Sequence, residues 1–199
     1  ILARAPAETG TFLGLLGEQI GAADAIYTGF ADLHVPSARL GELVAALESS
    51  TEAAADVVAR LATDPGPAPL AGDRRAIIAD AFRHDSVEGI VAALQAAGGP
   101  FAEKALADLA VRSPKSLRMT HAAIRNARRL PSLGKALEVE YRLCVRMFED
   151  GEFIEGVRAL IVDKDRQPRW QPARLMDVTP EMVARYLAPL PAGEDITID

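Results

Sequence analysis

The spacing of its apolar residues is the feature that most constrains what this chain can fold into. In SARLGELVAAL, residues 37–47, apolar side chains recur every three or four positions, at Leu40, Leu43, Val44 and Leu47. That period places them on one side of an α-helix, and similar runs follow along most of the chain, whereas the alternation typical of a strand is almost absent. Hydrophobic residues make up 49% of the sequence and aromatic residues only 5%. The core must therefore be built mainly from small aliphatic side chains, and Ala and Leu favour close-packed helices.

Turn residues mark where these helices begin and end. Ser113-Pro114 combines a capping side chain with a proline in the first turn. Ser37 is expected to cap the helix that follows it, and Asp85 with Glu88 suggests a capping box. Further boundaries are predicted for a helix in 7–17 ending at Gly17, a helix over 22–27, a start at Pro131-Ser132 and a start at Thr179-Pro180.

One segment interrupts the helical pattern most clearly. DPGPAPLAGD, residues 64–73, is rich in Pro and Gly. It is either a linker between domains or an ordered loop between helical layers, and the sequence leaves both open. After the last helix, the acidic end of the chain is expected to be frayed.

Charge and composition exclude several classes of protein. The formal net charge is −6, and nucleic-acid binding requires a basic surface that such a chain does not provide overall. A single Cys excludes an internal disulfide and favours a reducing compartment, the cytoplasm or the mitochondrial matrix of a eukaryote. No apolar run reaches the ~18 residues of a membrane span. The chain starts at Ile1 without a signal peptide, and this start is expected to be a cut through a longer protein.

A search for a compact catalytic motif finds none. Cys144 lies between apolar neighbours and is expected to be a small core residue rather than a nucleophile. His34, His84 and His121 lie in three different elements without the spacing of metal ligands, so structural roles are expected and no metal site is predicted. A cluster of carboxylates around Gly151 is expected to be mostly solvated surface: Glu149, Asp150, Glu152 and Glu155.

The helix that starts at Pro114 carries a basic strip, at steps of three and four residues. Its members are Lys115, Arg118, His121, Arg125 and Arg128. The strip is either the solvated side of an amphipathic helix or a docking surface for anionic groups such as phosphates. Nucleic acid is a third alternative, against which the acidic chain and the lack of interleaved aromatic residues argue.

Two segments resemble a known family. TGTFLGLLGEQIGAADAIYTGFADLHVP, residues 9–36, resembles the part of crotonase-superfamily proteins in which an L-x-L-T-G helix precedes I-x-A-x-x-A and a G-L-A/V-D turn, with Leu16 where Thr is usual. EVEYRLCVRMFEDGEFIEGVRALIVDKDRQPRWQP, residues 138–172, resembles the 3-hydroxyisobutyryl-CoA hydrolases, in which D-F-x-E-G-V-R-A leads into D-K-D-x-x-P-x-W-x-P.

The resemblance implies an α/β crotonase-like spiral fold for the full protein, of which this chain is the mostly α-helical carboxyl-terminal part. It implies the end of the crotonase core in residues 1–47, a helical insert in 48–112, and a carboxyl-terminal helical region and tail in 113–199. The family's oxyanion hole and acidic catalytic pair would precede Ile1. The resemblance therefore implies no catalytic residue in this chain, an acyl-CoA substrate and the missing amino-terminal half as partners, and no cofactor apart from the coenzyme A of the substrate. A homo-oligomer stays open.

The resemblance also suggests residues that bind coenzyme A. Related hydratases place a lysine at the end of the corresponding helix, near the CoA nucleotide, and Lys164 is the equivalent candidate. Asp163 and Asp165 are expected to orient its side chain or cap the helix. Arg118 and Arg125, from the basic strip, are the competing candidates for the CoA phosphates. Trp170 is expected to cover apolar surface rather than stack on adenine.

The implied activity is hydrolysis of 3-hydroxyisobutyryl-CoA to 3-hydroxyisobutyrate and CoA, as in valine breakdown. An enoyl-CoA hydratase or isomerase is the alternative, and a non-enzymatic helical interaction module is an alternative of another class. Without the amino-terminal half, the start of the chain is expected to expose apolar surface through Ile1, Leu2, Phe12, Leu13, Leu15 and Leu16.

Overall fold

A computed structural model describes residues 1–198, and within that range it contains eleven α-helices and no β-strand. The helices are α1 Thr9–Leu16, α2 Ala22–Tyr27, α3 Leu40–Ser49, α4 Ala54–Leu61, α5 Arg74–Phe82, α6 Val87–Ala97, α7 Gly99–Ala110, α8 Pro114–Ala127, α9 Leu133–Glu149, α10 Glu152–Val157 and α11 Pro180–Leu187. A π-helical turn, Arg158–Val162, extends α10, and short 3₁₀ turns occur at Leu2–Arg4, Pro6–Glu8, Ser37–Arg39, Pro69–Ala71 and Leu175–Asp177. The mainly helical prediction is confirmed.

Most of the predicted helix boundaries are confirmed. The side chains of Ser113, Ser132 and Thr179 accept hydrogen bonds from backbone amides in the first turns of α8, α9 and α11. Two predicted caps are wrong. Ser86, not Asp85, caps α6 by accepting from the Gly89 amide, and Ser37 makes no such bond because it starts a 3₁₀ turn ahead of α3.

The core is built around α1. Phe12 is fully buried and meets the ring of Phe82 edge-on, with 5.3 Å between the ring centroids. α5, α7 and α8 pack around α1, and α6 packs against α5 and α7. The close approach of the chain start to α1 requires Gly10, because a β-carbon there would clash with the carbonyl of Leu2.

The exposed apolar surface lies elsewhere than predicted. The expectation for the start of the chain is wrong for Phe12, Leu13, Leu15 and Leu16, which are at most 7% exposed, although Ile1 is 79% exposed. Helices α5 to α7 cover α1 instead. The exposed apolar side chains include a group on α10 and its π-helical extension, at 52–68% exposure: Phe153, Ile154, Leu160, Ile161 and Val162.

The loop over residues 64–73 is ordered. Leu70 is 1% exposed, and its backbone amide donates to the carboxylate of Asp24 on α2 at 2.8 Å. Leu70 thus anchors the loop in the core, which agrees with the second of the two predicted alternatives. The division into 1–47, 48–112 and 113–199 stays a prediction.

The expectation of a frayed tail is wrong for the residues that the structure describes. Arg142 on α9 forms an ion pair with Asp195 at 2.8 Å, and Glu138 accepts from the Ile198 amide at 3.0 Å. These contacts fix the tail along α9. The last residue of the predicted tail, Asp199, lies outside the described residues.

Candidate functional site

A cavity of about 800 Å³ lies among α1, α8 and α10. Its walls are mainly apolar, and Leu15, Leu117, Val157 and Trp170 contribute to them. Six hydroxyl or charged side chains also reach it, namely Ser113, Ser116, Thr120, Arg112, Glu152 and Arg166. An apolar cavity with a few polar groups is the usual form of a small-molecule site.

The most deeply buried charged side chain of the cavity is Glu152, which is 5% exposed. Ser113 donates its hydroxyl proton to this carboxylate, and the Lys115 ammonium lies 3.5 Å away. Burial raises the pKa of Glu152, because desolvation disfavours the charged form more than Lys115 favours it. The carboxylate is therefore held by partners on α8, and the expectation that it is solvated surface is wrong.

Asp150, on the other side of Gly151, has the opposite behaviour. Burial opposes its ionisation, yet bonds from the Tyr186 hydroxyl at 2.6 Å and from Arg185 at 2.8 Å lower its pKa. Lys115 lies 3.7 Å away. The turn between α9 and α10 thus contains two carboxylates with pKa values shifted in opposite directions, and it is bonded to both α8 and α11.

The turn after α10 is organised by one arginine, Arg158. Its guanidinium bonds both oxygens of Glu155 at 2.8 and 2.9 Å, Asp163 at 2.6 Å and Asp165 at 2.8 Å. It also donates to the carbonyl of Gln167 at 3.0 Å. We call residues 155–169 the Arg158 loop.

The pKa of Glu155 falls to about 2, first because Arg158 bonds the carboxylate and second because the Arg169 amide donates to it at 2.6 Å. Glu155 stays ionised at any physiological pH. The bond between Glu155 and Arg158 was recognisable from their i,i+3 spacing on a helix.

Lys164 lies at the outer edge of the Arg158 loop. It is exposed, and its backbone is in the left-handed region with φ of 56°. Asp163 and Asp165 bond Arg158 rather than Lys164, so the first alternative, that they orient the lysine, is wrong. The second alternative agrees with the structure for Asp163, which is the C-cap residue of the π-helical turn. Among residues 1–198, Lys164 forms no ion pair.

Trp170 closes the loop over α10. The indole ring lies over Gly156, the residue of α10 that has no side chain. A β-carbon built at Gly156 would lie 3.4 Å from the ring, which is an ordinary contact distance. The indole also lines the cavity, and its N–H points to the Val111 carbonyl at 3.5 Å. This position agrees with the prediction that Trp170 covers apolar surface.

The basic strip on α8 is not a solvated face. Lys115 and His121 are buried, at 8% and 6% exposure. Arg118 pairs with Glu88 on α6, and Arg125 bonds Glu8 at 3.2 Å. Arg125 also donates to the carbonyls of Phe82 and His84 at 2.9 and 3.1 Å. The strip therefore connects α8 to its neighbours, and a role of Arg118 or Arg125 in CoA binding stays a prediction.

The remaining candidates are Cys144 and the histidines. Cys144 is exposed, so the prediction of a core cysteine is wrong. The His121 ring donates to the His84 carbonyl at 3.0 Å, and burial lowers its pKa. His34 meets the Thr63 hydroxyl at 3.2 Å. Within residues 1–198, no three His, Cys, Asp or Glu side chains are grouped so that they could hold a metal ion, and no helix is long and apolar enough to cross a membrane.

Comparison with protein-family models decides the relationship. The model for enoyl-CoA hydratase/isomerase matches residues 1–187. The chain belongs to the enoyl-CoA hydratase/isomerase family. The fold agrees with this family: a carnitinyl-CoA dehydratase from Mycobacterium thermoresistibile superimposes with a TM-score of 0.88 at 36% identity, over 96% of this chain and 54% of that one. An enoyl-CoA hydratase from Rhodobacter sphaeroides 2.4.1 gives a TM-score of 0.87 at 37% identity, over 99% of this chain and 56% of that one.

Curated relatives within the enoyl-CoA hydratase/isomerase family are 3-hydroxyisobutyryl-CoA hydrolases. The mitochondrial enzyme of Gallus gallus is 33% identical over 95% of this chain and 51% of its own length. 3-Hydroxyisobutyryl-CoA hydrolase 1 of Arabidopsis thaliana is 30% identical over 99% of this chain and 55% of its own length. The chain thus spans about half the length of the curated relatives it matches. The predictions of the family and of a mostly helical carboxyl-terminal part of a crotonase fold are confirmed.

Proposed function

We propose that the full protein hydrolyses 3-hydroxyisobutyryl-CoA to 3-hydroxyisobutyrate and CoA, a step of valine catabolism. The observation that carries the proposal is the match of 95–99% of this chain to relatives with that name. The D-K-D-x-x-P-x-W-x-P ending at residues 163–172 supports it, because the resemblance to the hydrolases is most specific there.

Thioester hydrolysis has two chemical requirements. Negative charge develops on the carbonyl oxygen and needs fixed hydrogen-bond donors. A carboxylate must also take a proton from water and return one to the leaving thiolate. The proposal assigns these groups to the half of the protein upstream of Ile1, so it names no catalytic residue in this chain. It includes no cofactor, since coenzyme A is part of the substrate.

This chain would contribute to binding. We assign Lys164 to the nucleotide phosphates of the acyl-CoA substrate, since it is exposed and forms no ion pair among residues 1–198. A lysine is a flexible point charge suited to phosphate. Arg118 and Arg125 are weaker candidates, because each is paired with a glutamate inside the fold.

The chain would also complete the fold of the enzyme. The apolar group on α10 and its extension contains five side chains that are 52–68% exposed, and a group of exposed apolar side chains often marks an interaction surface. We propose that the upstream half covers it. A location in the cytoplasm, or in the mitochondrial matrix of a eukaryote, is part of the proposal, and several relatives are named as mitochondrial.

The second candidate is an enoyl-CoA hydratase or isomerase. The structural neighbours favour it, since one is an enoyl-CoA hydratase and one a carnitinyl-CoA dehydratase. A helical interaction module without enzymatic activity is the third, and it requires the 199 residues to act without an upstream half.

One pair of assays separates these functions. The full protein is mixed with 3-hydroxyisobutyryl-CoA while free thiol is measured, and separately with an unsaturated acyl-CoA while absorbance of the conjugated thioester is followed. We expect thiol release in the first assay and little change in the second. Hydration of the double bond without thiol release would establish the second candidate, and inactivity in both assays would favour the third. The 199-residue chain by itself is expected to release no thiol above a buffer control.

A further inference from the structure

We propose that Arg158 is a positioning residue that holds Lys164 where it meets the CoA phosphates. This inference rests on the proposed function, since it needs Lys164 to contact the nucleotide. It is distinct from that function, because Arg158 itself would touch no substrate.

All five N–H groups of Arg158 are occupied inside the Arg158 loop. Nε and one N–H of Nη2 donate to Glu155, and the other N–H of Nη2 donates to the Gln167 carbonyl. The two N–H groups of Nη1 donate to Asp163 and Asp165. A guanidinium has five donors. None is left for a phosphate, so Arg158 can act on the substrate only through the loop that it holds.

The loop needs this cation for electrostatic reasons. Three carboxylates, those of Glu155, Asp163 and Asp165, converge on the one guanidinium. Without it they would repel one another, and the loop would open to separate them. A lysine could not replace the arginine, because its ammonium has three donors at one point rather than five in a planar fork.

The backbone of the loop is also unfavourable by itself. Lys164 and Arg166 both have positive φ, 56° and 55°, a left-handed conformation that is unfavourable for L-amino acids other than glycine. Such a conformation persists only when its surroundings impose it. Here the Arg166 amide bonds the Ala159 carbonyl at 3.0 Å, and the Gln167 amide bonds Asp165 at 2.8 Å. Arg158 fixes the same segment from the inside, so it sets the direction in which Lys164 points.

A double-mutant cycle in the full-length protein tests the proposal. The variants are Arg158→Gln, Arg158→Lys, Lys164→Ala and the Arg158→Gln/Lys164→Ala double, with acyl-CoA as the probe. We expect Arg158→Gln to raise KM about 3- to 10-fold with kcat nearly unchanged, as for the loss of a ground-state contact. Arg158→Lys should resemble Arg158→Gln. In the Lys164→Ala background, Arg158→Gln should have no further effect on KM, because the residue that it positions is gone.

The control is Arg174→Gln, which removes the same charge. Arg174 is 69% exposed in its side chain and pairs only with Asp177 outside the loop. The KM of the Arg174→Gln variant should equal that of the wild type. Three results would each overturn the proposal. The first is that the effects of Arg158→Gln and Lys164→Ala on KM are additive. The others are that Arg158→Gln lowers kcat by as large a factor as it raises KM, or that Arg158→Lys has the KM of the wild type.

Amide hydrogen exchange separates failure of this inference from failure of the proposed function. Arg158→Gln should accelerate exchange at residues 163–167, whereas Arg174→Gln should not. If exchange accelerates while Lys164→Ala leaves KM unchanged, the CoA contact of Lys164 is wrong and the ordering of the loop by Arg158 stands. If exchange is unchanged in Arg158→Gln, the inference about Arg158 is wrong, whatever Lys164 does. The thiol-release assay tests the hydrolase activity independently of both.

Discussion

The helices around α1 and the segment from α9 onward are held together by different interactions. The main core cluster consists of residues between Phe12 and Leu117, all of them apolar. From α9 onward, the buried side chains include charged ones, namely Glu138, Arg146 and Glu152. The first region is stabilised mainly by burial of apolar surface, although it also buries Lys115 and His121 on α8. The second depends on directional polar contacts and leaves large apolar side chains exposed. The two regions should therefore respond to different perturbations.

The largest contrast is expected for one substitution made in both regions. Leu94→Ala removes a fully buried side chain from the first region and should cost about 2–5 kcal/mol of unfolding free energy. Leu160→Ala removes a side chain that is 64% exposed and should cost less than about 0.5 kcal/mol in the 199-residue chain. Denaturant unfolding measures both.

The same pair sharpens the comparison in the full protein. If the upstream half covers α10 and its extension, Leu160→Ala should become costly there, at about 2 kcal/mol or more. A cost that stays near zero would show that another surface of the chain meets the upstream half.

Arg146 carries the next largest expectation. It is 7% exposed and donates to the carbonyls of Tyr186, Ala188 and Pro189 at 3.1, 2.6 and 2.8 Å, where α11 ends. Arg146→Met should cost about 2–3 kcal/mol, because buried carbonyls lose their donors. Limited proteolysis should then cleave near α11 first. Arg185→Met, at an exposed ion pair, is the matched control and should cost less than about 1 kcal/mol. Equal effects of the two would contradict this account.

Acid should loosen the second region before the first. The pKa of Asp150 is lowered from its ordinary value near 3.8. A depressed pKa contributes stability that is present above the unfolded value and is lost as pH falls through the folded value. As pH falls below about 4, the contacts of α11 should therefore weaken. Glu152, whose pKa is raised, changes in the opposite sense and cannot cause this loss.

Protection factors of the α11 amides at pH 5 and pH 3, in which the intrinsic exchange rate at each pH is divided out, measure this change. Asp150→Asn should remove most of the pH dependence of these protection factors, with the α6 amides as the internal reference. Protection factors of α11 that are no lower at pH 3 than at pH 5 in the wild type would exclude Asp150 as its anchor.

The two regions also differ in what the sequence alone could predict. The helical period, the caps at Ser113 and Ser132 and the break at Gly17 are local signals, and they were predicted correctly. Burial of Phe12 was missed because the cover comes from α5 and α7, which are distant in sequence. The exposed position of Cys144 was missed for the same reason: an apolar neighbourhood in sequence does not show which face of a helix has a partner.

The candidate site was predictable only in part. The resemblance pointed to the segment around Lys164, and the i,i+3 spacing of Glu155 and Arg158 is a local signal that could have indicated their pair. Asp163 and Asp165 also converge on Arg158, but this depends on the π-helical turn and on the positive φ of Lys164. No propensity rule predicts those for non-glycine residues. The partners of Arg118 and Arg125 come from the distant Glu88 and Glu8, so the sequence showed the charges but not their neutralisation.

The last comparison takes one basic residue from each region. Arg125 is bonded to Glu8 and to two backbone carbonyls, so Arg125→Ala should lower the unfolding free energy by about 1–3 kcal/mol and leave KM for acyl-CoA unchanged once the folded fraction is accounted for. Lys164→Ala should do the reverse in the full protein. It should leave stability unchanged and raise KM several-fold, equivalent to about 1 kcal/mol, with kcat nearly constant. Its effect on KM should shrink at high salt, because exposed charges are screened. A silent Lys164→Ala together with weaker CoA binding in Arg118→Ala or Arg125→Ala would move the phosphate contact from the Arg158 loop to α8.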